Sequence, residues 1–409
     1  MLHMSAQAVY VRFTSPVRNP TKFVLTVAVL VATAAVHPCA AAASAPVVTL
    51  VTNQTVETVF RWRSDRCDDN QYPDAPARAY RDVYGNVHLF APHSDNRALI
   101  GPSLDGVRID CRSVYAGRGD DDPSAYDDRV WLTSFYTEDG RNVAALAHAE
   151  YHGHLRPSLC PWHDYRSCWW NGIVGLVSDN GGATFSRPHG ATSIMAALPG
   201  PYDPVDRRPV GYFSPSNMLK WEGRLYVFVF AEAHSKQKRG PCLFRTPAPF
   251  DPLEWRAWDG TDFTVALAPA EPASERAGPN ACAPVPGLGA TVTSVVRHDA
   301  SNNFIALIAA TRAETKRRTG IYFATSQDLL RWTPPQLLFE APLMFNYSCT
   351  DATAYGYPAL LDSESPSRNF ESVGSSAWLY LTRFAIDNCK LSKERDLVRY
   401  RVRIDVERR

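Results

Sequence analysis

Long apolar runs are missing from this sequence. The one extended stretch, Phe23 to Val36, is about 14 residues, short of the ~20 that a membrane-spanning helix needs. Methionine is scarce, at 5 in 409 residues, and glycine (23) is outnumbered by proline (31). That balance argues against long helices and suits many short strands joined by rigid turns. No helical heptad and no Rossmann glycine pattern is present. Charge of one sign is also lacking. A formal net charge of +1 argues against a nucleic-acid partner held by bulk electrostatics.

What is present begins with a leader. Arg12, Arg18 and Lys22 precede the apolar run, and small residues around Ala41 to Ser44 follow it. This is the layout of a secretory signal peptide over residues 1–43, with an uncleaved signal anchor as the alternative. Its removal takes away three positive charges and no negative ones, leaving the remainder near −2. Of nine cysteines, Cys39 leaves with the leader and eight remain, an even number that points to disulfides in an oxidising compartment. Cys160 and Cys168 are the pair suggested by proximity; a zinc site on Cys160, His163 and Cys168 is the alternative in a reducing one. Asn53 and Asn346 head glycan acceptor sequences. A secreted, extracellular protein is expected, with no membrane partner once the leader is cleaved.

A weak repeat runs through the rest. "SDNGGATF" from Ser178 and "SQDLLRW" from Ser326 share a Ser-x-Asn/Asp corner followed by an aromatic residue. Related corners occur at Asp105 and Asp251, and a fainter one at Asp396. The acidic or amide positions 105, 180, 251, 328 and 396 are spaced by 75, 71, 77 and 68 residues. Such a period marks a repeat architecture. Each corner is preceded by a hairpin pattern, with turns at Gly85-Asn86, Asp139-Gly140, Glu222-Gly223 and Ser301-Asn302-Asn303. A hairpin plus a corner flanked by strands makes four strands. The expected fold is all-β, a five-bladed propeller of four-stranded antiparallel blades over 79–406, with 44–78 as an extension partly joining it.

In a propeller, polar residues at the start of a hairpin's first strand or the end of its second converge at a channel mouth. They give Arg81, Asp82, His93, His148, Glu150, His152, Asn217, Glu232, His234, Arg312 and Arg383, with Trp170 posed by the Cys160–Cys168 loop. Glycosidic cleavage requires paired carboxylates, one protonated and one ionised. Asp82, Glu150 and Glu232 are the candidates: Glu232 as acid, Asp82 as base or nucleophile, Glu150 tuning the acid. The others are candidate substrate contacts. On a strand His148, Glu150 and His152 share one face, which also admits a zinc reading. Each carboxylate could equally pair with Arg81, Arg312 or Arg383.

With these corners, "SQDLLRWTPPQLLFE" (326–340) and "YPALLD" (357–362), the chain resembles the five-bladed propeller glycosidases of the arabinanase, xylosidase and invertase type. "SDNGGATF" resembles a sialidase Asp-box. The resemblance implies a glycoside hydrolase acting on an oligo- or polysaccharide, monomeric, without a required cofactor; a structural calcium is compatible with it. A catalytically silent carbohydrate- or protein-binding propeller is the alternative, and a metal-dependent hydrolase or lyase on the His-rich strand a third.

Overall fold

The short apolar runs and their turn residues form strands almost everywhere. In the computed structural model, residues 7–10, 28–31, 45–188, 193–268, 281–315 and 317–406 are described. Among them the only α-helix is the four-residue Trp62–Asp65. No helix is long and apolar enough to cross a membrane. The chain divides into two compact units, Met1–Ala43 and Ser44–Arg409. In the first, Gln7–Tyr10 pairs antiparallel with Ala28–Val31; the rest of the segment read as a signal peptide, including Cys39, lies outside the described residues.

The second unit is built from five antiparallel meanders. The first comprises Arg78–Arg81, Val87–Phe90, Ala98–Gly101 and Arg108–Ile109. The second comprises Arg129–Tyr136, Val143–His152, Trp169–Ser178 and Ile194–Ala196. In the third, Val210–Phe213 and Leu219–Trp221 share the place of one strand beside Arg224–Ala231, followed by Gly240–Thr246, Arg256–Trp258 and Phe263–Val265. A short parallel pairing of Trp170 and Asn171 with Val210 and Gly211 joins the second meander to the third. The fourth comprises Val292–His298, Phe304–Arg312, Arg318–Ser326 and Gln336–Glu340. The fifth comprises Thr353–Leu361, Ser376–Asp387 and Lys390–Val406, and it is completed from the other end of the unit. Pro46–Leu50 and Glu57–Phe60 both pair with Lys390–Val406.

Apolar side chains fill the spaces between successive meanders. Tyr80 and Phe90 of the first pack with Phe135 and Leu146 of the second and Val227 and Phe244 of the third. Tyr226 and Phe228 meet Phe304 and Tyr322. Val296 and Ile305 meet Leu379 and Val398. Trp378 and Tyr380 meet Val87 and Leu89. The last cluster returns to the first meander, so the order of neighbours closes on itself. Fully burying one such side chain contributes about 1.5–3 kcal/mol, which makes these inter-meander cores the main source of cohesion.

Polar groups tie the first strands together. Arg78 is buried, and its guanidinium donates to the carbonyls of Ala77, Thr133 (2.8 Å), Pro215 and Thr293. One side chain thereby bridges four meanders. The fifth is linked through the Leu360 N–H, which donates to Ser294 Oγ at 3.2 Å. Burial lowers the Arg78 pKa to about 9, so it stays charged at neutral pH among carbonyl dipoles. Asparagine side chains repeat one clamp between neighbours. Asn96 accepts from Leu132 N and donates to the Val130 carbonyl; Asn217 does the same with Val295 N and O.

The corners at Asn180, Asp251 and Asp328 are where the repeat put them. Asn180 Oδ1 accepts from Thr184 N, Asp251 from Leu253 N, and Asp328 from Leu330 N and Arg331 N. Asp396 is different: it lies inside the 17-residue strand Lys390–Val406 and forms no corner. The eight described cysteines stand as four pairs, Cys67–Cys111, Cys160–Cys168, Cys242–Cys282 and Cys349–Cys389.

Candidate functional site

The strand Val143–His152 ends at one mouth of the unit. Period-two alternation puts His148, Glu150 and His152 on one face. Glu150 Oε1 lies 3.3 Å from His148 Nδ1, and Glu150 Oε2 lies 2.8 Å from His152 Nε2. Asn171 fixes the tautomer of His148. Its amide nitrogen donates to the carbonyls of Trp169 and Val210, so its oxygen must accept from His148 Nε2 at 3.0 Å. Burial disfavours the imidazolium of His148. A neutral His148 then turns its Nδ1 lone pair toward Glu150. Burial works against ionisation of Glu150, yet His148, His152 and Arg129 together hold its pKa below the usual carboxylate range. Glu150 is the ionised carboxylate of this mouth.

A second carboxylate comes from before the first meander. Asp74 lies in the Pro73-Asp-Ala-Pro segment that leads into Arg78, a position the sequence reading left inside the 44–78 extension. Its Oδ1 accepts from Tyr357 Oη at 3.2 Å and is in contact with Arg395. Burial raises its pKa to about 6 against the pull of Arg395, and the negative charge of Glu150 adds to the rise. Tyr357 carries a φ of 56° at a bulge in Thr353–Leu361. Strained backbone of this kind is held by surrounding contacts and gathers at functional sites.

Aromatic and imidazole rings surround the two acids. His93 bonds Tyr72 Oη at 2.9 Å and meets the edge of Trp131, which also contacts His148. Burial, with Arg395 and Arg129, lowers His93 to about 4, so it is neutral. From the loop closed by Cys160–Cys168, Tyr165 packs on His152, His154 and Trp169 while its ring remains exposed. Partial burial and the charges of Glu150 and Asp74 raise its pKa to about 12, which places it over the same mouth.

The structure does not bring Asp82 to this mouth. Asp82 follows the first strand, and Val83 N donates to the Gly140 carbonyl in the turn of the second meander's hairpin. Glu150 pairs with Arg129 at the far end of the eight-residue strand Arg129–Tyr136, about 23 Å away at 3.3 Å per residue. Asp82 is instead a turn anchor, accepting from Tyr84 N, Asn86 N and His88. Glu232 lies at the Glu150 end, where its N–H donates to Gly211 O, but its carboxylate is paired with Arg239 at 2.9 Å.

The remaining candidates divide the same way. Arg81 donates to the carbonyls of Ser365 and Ser367 and stacks on Phe370, a staple to the fifth meander. Asn217 is consumed by its clamp on Val295. Trp170 is buried between the second and third meanders and donates to Tyr126 Oη. His234 pairs with Asp206, Arg312 donates to Leu288 O, and Arg383 pairs with Asp396. Asn53 and Asn346 are exposed. Among the described residues no cluster of three or more His, Cys, Asp or Glu side chains could hold a metal ion, and Cys160 is bonded to Cys168 rather than free to ligate zinc.

No family profile and no curated protein matches this sequence. Similar solved structures include an α-L-arabinanase of Cellvibrio cellulosa (10% identity, 81% of this chain and 90% of that one, TM-score 0.44). Another is the catalytic domain of a GH62 α-L-arabinofuranosidase of Coprinopsis cinerea (12%, 88% and 98%, TM-score 0.43). A third is a GH43_1 enzyme of Xanthomonas citri complexed with xylotriose (12%, 85% and 89%, TM-score 0.47).

The two acids have consequences for pH dependence. A step that needs protonated Asp74 fades as pH rises through about 6, and one that needs ionised Glu150 fades at low pH, below the ordinary carboxylate range. The rate should trace a bell between these limits. Stability has its own sign. Because the folded pKa of Asp74 lies above its model value of 3.8, its contribution is complete below about 3.8 and is lost as pH rises through about 6. Urea unfolding of the wild type and of Asp74→Asn between pH 3.5 and 7.5 should show that slope in the wild type and a smaller one in the variant.

Proposed function

We propose that the five meanders are the blades of a five-bladed β-propeller whose Glu150 mouth hydrolyses glycosidic bonds. The returning order of inter-meander cores and the Arg78 bridge across the first strands support the propeller. One observation carries the chemistry: two largely buried carboxylates, close enough to influence each other's titration, are driven apart in proton affinity. Pairs separated in this way identify acid and base assignments. Asp74 donates its proton to the departing glycosidic oxygen. Glu150 either takes a proton from the attacking water or attacks the anomeric carbon itself, and the elements of water end up across the cleaved bond. Tyr165 offers a flat face to the apolar side of a sugar ring.

No redox or nucleotide cofactor enters this scheme, and calcium is not needed by it. The paired cysteines support an oxidising compartment, and we extend the proposal to a secreted, monomeric protein with glycans at Asn53 and Asn346. A specific contact favours a second reading, a non-catalytic carbohydrate-binding propeller: the Asp74–Arg395 ion pair is also what a purely structural acid would make. Turnover and binding on one panel of arabino-, xylo-, gluco- and galacto-configured glycosides and their uronides separate the two. Hydrolysis of at least one member with the bell described above supports the enzyme. Binding without turnover on every member overturns it.

A further inference from the structure

Arg129 opens the first strand of the second meander and lies directly opposite Glu150 in the pairing register. It is half-buried, and among the described residues its guanidinium makes no hydrogen bond or ion pair. The other arginines around this mouth are committed. Arg395 contacts Asp74, Arg383 pairs with Asp396, and Arg312 donates to the Leu288 carbonyl. Arg156 holds Asp121 and Asp128. Nor can Glu150 supply the missing partner through a direct bond, because its two oxygens are turned toward His148 and His152.

We infer that the glycan recognised at this mouth carries a carboxylate, as a uronic acid does, and that Arg129 binds it. The inference rests on the mouth being a glycan site but not on its being hydrolytic. A planar guanidinium with free N–H groups matches a carboxylate through two parallel hydrogen bonds. The field around it favours the same ligand. His93, which burial alone would keep neutral, is further held uncharged by Arg395, Arg129 and Lys393, so three cations act at one point of the rim. Asp74 and Glu150 are the opposing charges there, and Arg395 already offsets the first. A sugar carboxylate placed on Arg129 leaves the ring free to lie against Tyr165.

The test uses the full chain and isothermal calorimetry with D-glucuronate, D-galacturonate and their neutral parents glucose and galactose. The wild type should bind one uronate about 10- to 100-fold more tightly than its neutral parent, the size of a charge-assisted hydrogen-bond pair. Arg129→Gln should erase that preference while leaving neutral-sugar affinity and the melting temperature within error. Arg129→Lys should restore part of it. Equal affinity for charged and neutral sugars, a preference that survives Arg129→Gln, or no binding of any of the four overturns the inference. Uronate preference without turnover would sink the hydrolase and leave this assignment standing; turnover of neutral glycosides alone would do the reverse.

Discussion

Glu150→Gln should lower kcat on a hydrolysed glycoside by about 10²- to 10⁴-fold, the usual contribution of a positioned acid or base, while the protein stays folded. The substitution keeps the side chain's size. His152 can still donate to the new amide oxygen, and the amide N–H₂ can donate to His148 Nδ1, which in the neutral tautomer faces Glu150 as a lone pair. Local hydrogen bonding is therefore satisfied, even improved, and only the ability to carry negative charge is lost. Steady-state kinetics and a thermal melt on the same preparation check both halves. If the residue served only as a strut between two histidines, the melt would move and kcat would not.

Arg78→Ala should produce the largest loss of stability in the chain, about 3–5 kcal/mol, the cost of breaking a buried charged network. The guanidinium reaches carbonyls of Ala77, Thr133, Pro215 and Thr293. Its removal leaves at least three carbonyls on other meanders without a donor, at roughly 1–3 kcal/mol each before relaxation. Arg78→Lys should fall between, because one ammonium group cannot span four carbonyls in different directions. Denaturant titration of the three proteins would show the order wild type, Lys, Ala. Equal midpoints would mean that the first strands are not held together through this side chain.

How much of this was legible in the sequence depends on range. The corners at Asn180, Asp251 and Asp328 are local devices, a side chain capping N–H groups two to four residues on, and the sequence pattern carries them. Asp396 matched the spacing but has no turn around it; it accepts from Trp62 N and pairs with Arg383 inside a long strand. Glu150 and its histidines were visible because alternation on one strand is also local.

Asp82 misled because an acid at the end of a strand and one at its beginning look alike in sequence, although they emerge at opposite mouths. The equivalent of the Glu150 end in the first meander is the residue run before Arg78. The signal that could have found Asp74 is the Pro-Asp-Ala-Pro stretch leading straight into that strand. Tyr357 and Arg395 offered no such signal. They come from the fifth meander, 283 and 321 residues away, and reach Asp74 only because the order of meanders closes. Arg81, Asn217 and Trp170 were polar or amphipathic residues in the right places whose bonding capacity is spent on neighbouring strands.

The most direct measurement of the acid/base assignment compares Asp74→Asn with the wild type on two substrates of the same sugar, one with an activated dinitrophenolate leaving group and one with an alkyl alcohol. An activated leaving group departs without a proton. The account predicts a severe deficit for the variant on the alkyl glycoside and near-normal bond cleavage on the activated one. A deficit of equal size on both would contradict it, since Asp74 would then not be delivering the proton.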